Sequence, residues 1–368
     1  MENKVGIVTW HYYANFGSGL QAFALQSLIS SMGYKVDIIN YRNPQFGKFI
    51  RWKSLIKRIL HHTLGLISKK IYDRTLQNTY DYQKRYLHQT KCFYKPQKIA
   101  KFAKKYSSLV YGSDQIWAPN VFNPIYMGAY IPEQVKKISY AASVGLNEIP
   151  NELVDVYFKY LTSYKSISVR EQEGKDLLKT RCGINSVVVL DPTLMVDATV
   201  YRKMLKPVKG VNGKFIFCYF LNKNHLYREK VEEYARKHNL QIVGFSDNET
   251  DSKWMNRLTD LGADQFLWLI DNAETIFTDS YHGSIFSLLF HKNFWTFLRF
   301  TENNPICQNS RIRQLQNNFG IESRVISSKD VIDDAKFIDF EYFEKRLEEL
   351  RLHSVTFLER ALKEDVKV

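Results

Sequence analysis

Short apolar runs alternate with segments of helical periodicity along almost the whole chain, and this alternation constrains the fold more than any other feature. Runs rich in β-branched and aromatic residues are typical of buried strands, and a helix is the usual connection between parallel strands. The sequence therefore predicts an α/β protein without internal repeats. The predicted strands are residues 5–10, 35–40, 107–111, 137–142, 166–169, 187–190, 215–220, 240–245, 275–277, 294–297 and 324–326. The predicted helices are residues 20–32, 152–163, 171–180, 227–237, 264–271, 285–290, 311–318 and 340–362.

The length of 368 residues predicts two domains, because one ordinary hydrophobic core does not extend so far. Proline and glycine cluster near residues 191–213, which indicates a crossing between periodic segments. We predict an N-terminal Rossmann-like domain at residues 1–195, a second at 196–338, and a final helical segment at 339–368. Doubly wound sheets bind ligands at the carboxyl ends of their strands, so a ligand is expected in a cleft between the two domains.

Composition excludes several protein classes. The hydrophobic content of 45% supports a folded globular protein. The four cysteines are widely spaced without a Cys-x-x-Cys pair, which predicts neither a zinc site nor a disulfide framework. The N-terminus has no signal-peptide pattern, and no apolar run is long enough to cross a bilayer. We therefore expect a cytoplasmic protein.

The net charge of +14 comes from one segment, residues 48–105, which holds sixteen Lys or Arg against Asp73 and Asp81. Within residues 49–72 the apolar residues recur at helical spacing among the basic ones. Such a helix suits an anionic membrane surface, whereas the alternative is a solvated face on an ordinary packed helix. Nucleic acid is not an expected partner, because no recognition module accompanies the charge.

The polar motif TDSYHGS, residues 278–284, follows one apolar run and opens another, so it predicts a strand, a turn and a helix start. At such a start Ser280, Gly283 and Ser284 can present amides and hydroxyls to an anion, with His282 beside it. The alternative is that Ser280 merely caps the helix and that His282 bonds a neighbouring loop.

Two further motifs follow predicted strands. In NFGSG the glycine Gly17 lies too far from the first strand for a dinucleotide fingerprint, and we interpret the segment from Asn15 as a flexible or ligand-touching turn. In GSDQIW, the carboxylate of Asp114, the amide of Gln115 and the ring of Trp117 suit a sugar. The alternative there is a helix cap with the indole in the core.

Arg170 stands at the end of the predicted strand 166–169. Its planar guanidinium fits a carboxylate or a phosphate of a ligand. The alternative is a structural ion pair with Glu171 or Glu173.

Six segments together resemble the polysaccharide pyruvyl transferase family: NFGSGLQAFALQ (15–26), GSDQIW (112–117), SVRE (168–171), DPTL (191–194), SYHG (280–283) and SRIRQLQNNFG (310–320). The resemblance implies a GT-B-like arrangement of two Rossmann-like domains, with the final helix returning to the first domain. It implies transfer of the carboxyethylidene group of phosphoenolpyruvate to a sugar as a cyclic ketal, with no metal or other cofactor required.

By the same resemblance, Arg170 is expected to bind the carboxylate or phosphate of the donor. His282, with Ser280 and the amides of Gly283 and Ser284, is expected to hold the phosphate and to move a proton. Arg311 belongs to the expected substrate-binding set. Asp114 is a candidate general base. The acceptor is expected to be a sugar or a lipid-linked oligosaccharide, which connects residues 48–105 with the inner face of the plasma membrane.

Two other functions fit the same fold. One is a nucleotide-sugar-dependent glycosyltransferase, which needs groups for a base and a ribose in the second domain. The other is a non-catalytic glycan-binding protein. Release of phosphate from phosphoenolpyruvate separates the three.

Overall fold

The computed structural model describes residues 3–12, 15–42, 66–221, 225–246, 249–301, 304, 307–327 and 330–363. The chain forms two compact units, one of Met1–Met195 with Leu352–Val368 and one of Val196–Arg351. Much of the predicted basic helix at 49–72 lies outside the described residues.

The first unit is a parallel α/β sheet with helices between its strands. The sheet has the order β2-β1-β3-β4, and bridges from Ile138 to Ser166 and from Ala142 to Val169 connect it to the pair β5-β6. Its elements are β1 Lys4–Val8, α1 Phe16–Ser31, β2 Lys35–Ile38, α2 Leu66–Tyr86, α3 Pro96–Ala103, β3 Ser108–Tyr111, β4 Lys136–Ser139, α4 Asn151–Leu161, β5 Ser168–Val169, α5 Gln172–Cys182, β6 Val187–Val188 and α6 Pro192–Met195.

The second unit is a six-stranded parallel sheet of order β12-β11-β10-β7-β8-β9. The central strand β7 reads FIFCYF and every residue in it is buried, as expected for a strand covered on both faces. The elements are α7 Ala198–Arg202, β7 Phe215–Phe220, α8 His225–His238, β8 Gln241–Ser246, β9 Asn256–Leu258, α9 Ala263–Asn272, β10 Thr275–Thr278, α10 Tyr281–Leu289, β11 Asn293–Phe297, α11 Ser310–Phe319, β12 Val325–Ile326 and α12 Phe340–Lys363.

The last helix, α12, contributes to both units. Near its start, Phe343 packs on Phe319 at 5.0 Å between ring centroids. Near its end, Leu358 and Leu362 join the core of the first unit, and the carbonyl of Leu362 accepts a hydrogen bond from Lys136 Nζ at 2.6 Å. The division between the units therefore lies after Arg351, inside the helix, rather than before it at 338.

All the strands expected from the sequence are present, and the α/β prediction with parallel sheets is confirmed. Strand β9 and helices α3, α6 and α7 were not predicted, because they are short, with three, eight, four and five residues. Within the described part of the chain, none of the helices combines the length and apolar character that spanning a bilayer requires.

Candidate functional site

The SYHG motif begins helix α10 at the carboxyl end of β10. Ser280 is the N-cap, with its Oγ accepting from the amide of Gly283 at 3.4 Å. Its own amide donates to Thr278 Oγ1 at 3.0 Å, and that hydroxyl donates to the carbonyl of Tyr219 on β7 at 2.8 Å. The motif is thus tied to two neighbouring strands, which fixes the direction in which α10 starts.

Gly283 allows the helix to approach the strand closely. A Cβ at this position would lie 2.5 Å from Thr278 Oγ1, a distance that real Cβ atoms do not show. Any other residue would force the Thr278 side chain, which bonds Ser280 and Tyr219, to shift. The motif therefore needs its glycine for packing.

Ser284 is not placed to bind a substrate, which corrects the prediction for this residue. Its side chain is buried, and its hydroxyl donates to the carbonyl of Ser280 at 3.1 Å and bonds Thr296 Oγ1 at 2.6 Å. Its amide donates to the same Ser280 carbonyl at 3.0 Å, while the Gly283 amide is used by the cap. Both amides that we expected to bind an anion are therefore engaged within the helix.

His282 and Arg311 both lie beside Tyr281. The imidazole meets the Tyr281 ring edge-on at 5.3 Å between centroids, and His282 is 7% exposed. The guanidinium of Arg311, at the start of α11, lies 5.8 Å from the same ring and donates to Gln308 Oε1 at 2.7 Å. The structure thus brings these two predicted site residues to the carboxyl end of the second sheet.

Arg299 and Asp279 also lie at the carboxyl end of this sheet, and the sequence analysis did not name them as site residues. Arg299 follows β11, and its Nη2 donates to the carbonyl of Asp279 at 2.9 Å and lies 3.6 Å from the carboxylate Oδ1. The Asp279 side chain is fully buried, whereas that of Arg299 is 18% exposed. An arginine at the end of a buried strand is the signal that singled out Arg170, and Arg299 comes two residues after the end of β11.

Arg170 has the structural role that the sequence left as the alternative. It is 2% exposed, with Nε 2.8 Å from Glu171 Oε1 and Nη1 2.7 Å from Asp191 Oδ2. A guanidinium that is removed from water needs such partners, because an unpaired buried charge is very costly. The expected donor contact of Arg170 has no support in this arrangement.

The buried ion pairs belong to a polar network at the carboxyl ends of β1 and β3. Gln21, which the sequence analysis did not single out, donates from Nε2 to Thr9 Oγ1 and to the carbonyl of Ser18, both at 3.0 Å. Its Oε1 accepts from the amide of Ser113 at 3.0 Å, and Ser113 Oγ donates to Asp191 Oδ2 at 3.2 Å. A single buried glutamine thereby connects the start of α1 with two strand ends.

Asp114 is connected to this network through Ser18. Its Oδ2 accepts from Ser18 Oγ at 2.5 Å, and its Oδ1 accepts from the amide of Gln115 at 2.8 Å. The backbone at Asp114 has a φ of 70°, in the left-handed region that aspartate tolerates better than most residues. Asp114 is mostly buried and Gln115 is partly exposed, so the two remain together as candidates for sugar contact.

Trp117 is a core residue, which corrects the prediction of a stacking surface for a sugar. The side chain is 0% exposed, and Nε1 donates to the carbonyl of Tyr126 at 2.9 Å. The ring also meets Tyr164 edge-on at 5.8 Å. This is the alternative stated above, in which the indole lies in the core.

The NFGSG segment is the beginning of a helix rather than a turn. Asn15 is exposed and caps α1, with its Oδ1 accepting from the amide of Ser18 at 3.2 Å. Gly17 is buried in the first helical turn. The sequence predicted a helix only from residue 20, because glycine and serine have low helix propensity. In the structure, the Asn15 cap and the hydrogen bond from Ser18 to Asp114 stabilise an earlier first turn.

His11 is a buried histidine at the end of β1. Its Nδ1 donates to the carbonyl of Thr9 at 3.0 Å, which leaves the proton on Nδ1 in the neutral ring. Burial, assisted by the charge of Arg42, lowers the pKa of His11 to about 4. The imidazole is therefore neutral at pH 7.

We expect His11 to make folding pH-dependent between pH 6.5 and 4. The unfolded chain takes up a proton below its ordinary pKa of 6.5, whereas the folded chain does so only near 4, so stability falls as the pH falls through this window. The loss is about 3 kcal/mol at 1.36 kcal/mol per pKa unit. Urea unfolding at pH 7 and at pH 4 measures it. His11→Asn, which keeps a donor but cannot titrate, should lose correspondingly less; equal losses in both proteins would contradict the assignment.

A metal centre is not evident in the described residues, where no three His, Cys, Asp or Glu side chains are grouped to hold an ion. The four cysteines are all free. The expectation of chemistry without a metal or cofactor stays a prediction.

The model of the polysaccharide pyruvyl transferase family matches residues 15–299, which include the first helix, the buried network and the SYHG motif. The chain belongs to this family. No curated protein matches the sequence. The family is one of transferases, so the protein is a member of an enzyme family that acts in polysaccharide biosynthesis.

The chain is also similar to solved structures, and this similarity bears on the fold alone. A putative UDP-N-acetylglucosamine 2-epimerase from Listeria monocytogenes aligns over 100% of both chains with a TM-score of 0.54 and 9% identity. The UDP-GlcNAc 2-epimerase from Methanocaldococcus jannaschii aligns over 95% of this chain and 92% of its own, with a TM-score of 0.47 and 13% identity. E. coli ADP-heptose lps heptosyltransferase II aligns over 95% and 99%, with a TM-score of 0.37 and 12% identity. The likeness to the Listeria monocytogenes structure confirms the predicted GT-B-like fold class.

Proposed function

We propose that the protein transfers the carboxyethylidene group of phosphoenolpyruvate to a sugar of a surface polysaccharide or of its lipid-linked precursor. Family membership supports the reaction class. The observation that carries the proposal is a set of three side chains at the carboxyl end of the second sheet. They are the imidazole of His282 and the guanidinium groups of Arg299 and Arg311. Phosphoenolpyruvate carries two anionic groups, a phosphate and a carboxylate, and this set offers two strong cations for them.

In this proposal Arg299 and Arg311 bind the donor. Arg299 is held through the carbonyl of Asp279, and Arg311 is held through Gln308 and the ring of Tyr281. These contacts orient the two guanidinium groups, and a guanidinium suits the phosphate and the carboxylate of the donor. Arg299 replaces Arg170 as the arginine of the donor site.

The reaction requires one proton to be given and two to be removed. The methylene carbon of the donor takes a proton and becomes the methyl group, and a sugar hydroxyl attacks C2 as it loses its own proton. The bond from C2 to the phosphate oxygen then breaks, and a second hydroxyl closes the ketal while its proton leaves with the phosphate. We assign to His282 the movement of a proton at the donor, because an imidazole ring can both donate and accept a proton.

We place the acceptor sugar on the first unit, at Asp114 and Gln115. A carboxylate and an amide offer the paired acceptor and donor groups that sugar hydroxyls bind. The role of Asp114 as a general base stays a prediction. Exposed Asn15 lies at the start of α1, whose first turn is tied to Asp114 through Ser18.

The donor site is tested by thermal shift with Arg299→Gln. Phosphoenolpyruvate should raise the melting temperature of the wild type, and the variant should lose most of that rise, since one charged hydrogen bond contributes about 1.5–3 kcal/mol. Arg346→Gln is the matched control, because Arg346 pairs with Glu349 on the surface of α12. An unchanged shift in Arg299→Gln would reject this arginine. A shift with uridine nucleotides but none with phosphoenolpyruvate would instead support a nucleotide-sugar glycosyltransferase.

A further inference from the structure

One edge of the first unit carries a surface that is basic throughout. Between residues 84 and 105 the sequence has no Asp or Glu, and every basic side chain in it is exposed. We call this surface the basic edge; its charged residues are Lys84, Arg85, Lys91, Lys95, Lys98, Lys101, Lys104 and Lys105. Among the described residues, none of its seven lysines forms an ion pair with a carboxylate. The charge of these seven lysines therefore faces solvent.

The fold holds the basic edge in place. Residues 88–93 run parallel to β2 and extend the sheet, with the amide of Ile38 donating to the carbonyl of His88 at 2.7 Å and the amide of Phe93 donating to that of Asn40 at 2.8 Å. Phe93 is buried in the core together with Ile99 and Ala103 of α3. The charged side chains are thus displayed on an anchored sheet edge and helix.

Helix α3 separates an apolar face from a basic one. Ile99 and Ala103, one turn apart, are buried, while Lys98 and Lys101 are exposed on the opposite side. The Nζ of Lys105 lies 5.0 Å from the centre of the Phe102 ring, which is itself partly exposed. Tyr94, just before the helix, is 55% exposed. Aromatic rings among lysines are typical of surfaces that meet lipid headgroups.

We propose that the basic edge docks the protein on the anionic phospholipid headgroups of a membrane. Seven of its eight charges are lysines, which act as point charges and suit a diffuse negative surface potential. Specific readers of nucleic acid rely instead on the forked guanidinium of arginine and on a module that enters a groove. The proposal concerns a surface separate from the donor site and does not depend on the reaction assigned above.

Vesicle flotation of the full chain tests the proposal. The wild type should float with vesicles of phosphatidylcholine and phosphatidylglycerol, and remain behind with phosphatidylcholine alone. The variant Lys98→Gln/Lys101→Gln/Lys104→Gln/Lys105→Gln should lose about 100-fold or more in vesicle affinity, because each lysine near an anionic surface contributes about fivefold. Added salt should weaken wild-type binding in the same direction.

A matched variant separates the surface from net charge. Lys159→Gln/Lys165→Gln/Lys203→Gln/Lys209→Gln removes the same charge from exposed lysines elsewhere and should float like the wild type. Equal losses in the two variants, or wild-type binding to phosphatidylcholine alone, would overturn the proposal. So would tighter binding of a DNA duplex than of the anionic vesicles at equal phosphate concentration. Unchanged melting temperatures establish that both variants are folded.

Discussion

Replacement of Arg170 by alanine is expected to reduce the free energy of unfolding by about 3–5 kcal/mol, because it leaves the buried carboxylates of Glu171 and Asp191 without their cation. The guanidinium joins β5 to the loop before α6 through contacts of 2.8 and 2.7 Å. Urea unfolding monitored by far-UV circular dichroism measures the change. A loss of this size exceeds what the removal of an exposed pair costs, which is about 1 kcal/mol or less.

Two further proteins make the Arg170 result interpretable. Arg346→Ala removes an exposed partner of Glu349 and should cost little. In Arg170→Met/Glu171→Gln/Asp191→Asn the uncompensated charges are gone, so much of the lost stability should return. If Arg170→Ala kept its stability but no longer responded to phosphoenolpyruvate, Arg170 would be a donor ligand and the structural role would be wrong.

The second large effect is expected at His282. His282→Asn keeps a polar side chain of similar size but cannot exchange a proton, so release of phosphate from phosphoenolpyruvate should slow by about 10²- to 10⁴-fold. The assay uses purified protein, phosphoenolpyruvate and glycans extracted from cells as acceptor. The melting shift with phosphoenolpyruvate should largely remain, because Arg299 and Arg311 still bind the anionic groups.

The combination of lost turnover and retained donor binding is what distinguishes proton transfer from simple binding. Loss of the melting shift in His282→Asn, with turnover reduced only in proportion, would make His282 a binding residue. Turnover at the wild-type rate would remove it from the chemistry altogether. His353→Asn, on α12, is a control for a histidine outside the site.

Local sequence was sufficient where a short-range contact decides the structure. The motif at residues 278–284 predicted a strand, a turn and a helix start, and the structure has all three; Ser280 caps α10, as in the alternative stated for it. The same local logic failed at NFGSG, because propensity alone argues against a helix at Gly17 and Gly19. There two hydrogen bonds donated by Ser18 decide the conformation: its amide donates to Asn15 Oδ1, close in sequence, and its hydroxyl donates to Asp114 Oδ2, distant in sequence.

The arginines show why the site was harder to predict than the fold. Arg170 and Arg299 both follow buried strands, so the sequence gives them the same standing. Their surroundings differ. Arg170 contacts two carboxylates at 2.8 and 2.7 Å, whereas Arg299 donates to the backbone carbonyl of Asp279 and lies 3.6 Å from the carboxylate of the same residue. Asp191 is twenty-one positions from Arg170 along the chain, and only folding brings them together.

The alternation of apolar runs and helical segments determined the α/β class, because burial on both faces of a parallel sheet leaves a continuous apolar signature in each strand. The six motifs determined the family. Only the tertiary structure decided which polar residues support the fold and which lie at the carboxyl end of a sheet, where the reaction is proposed. That distinction depends on desolvation and on partners distant in sequence, and neither is written in the local pattern around Trp117, Arg170 or Ser284.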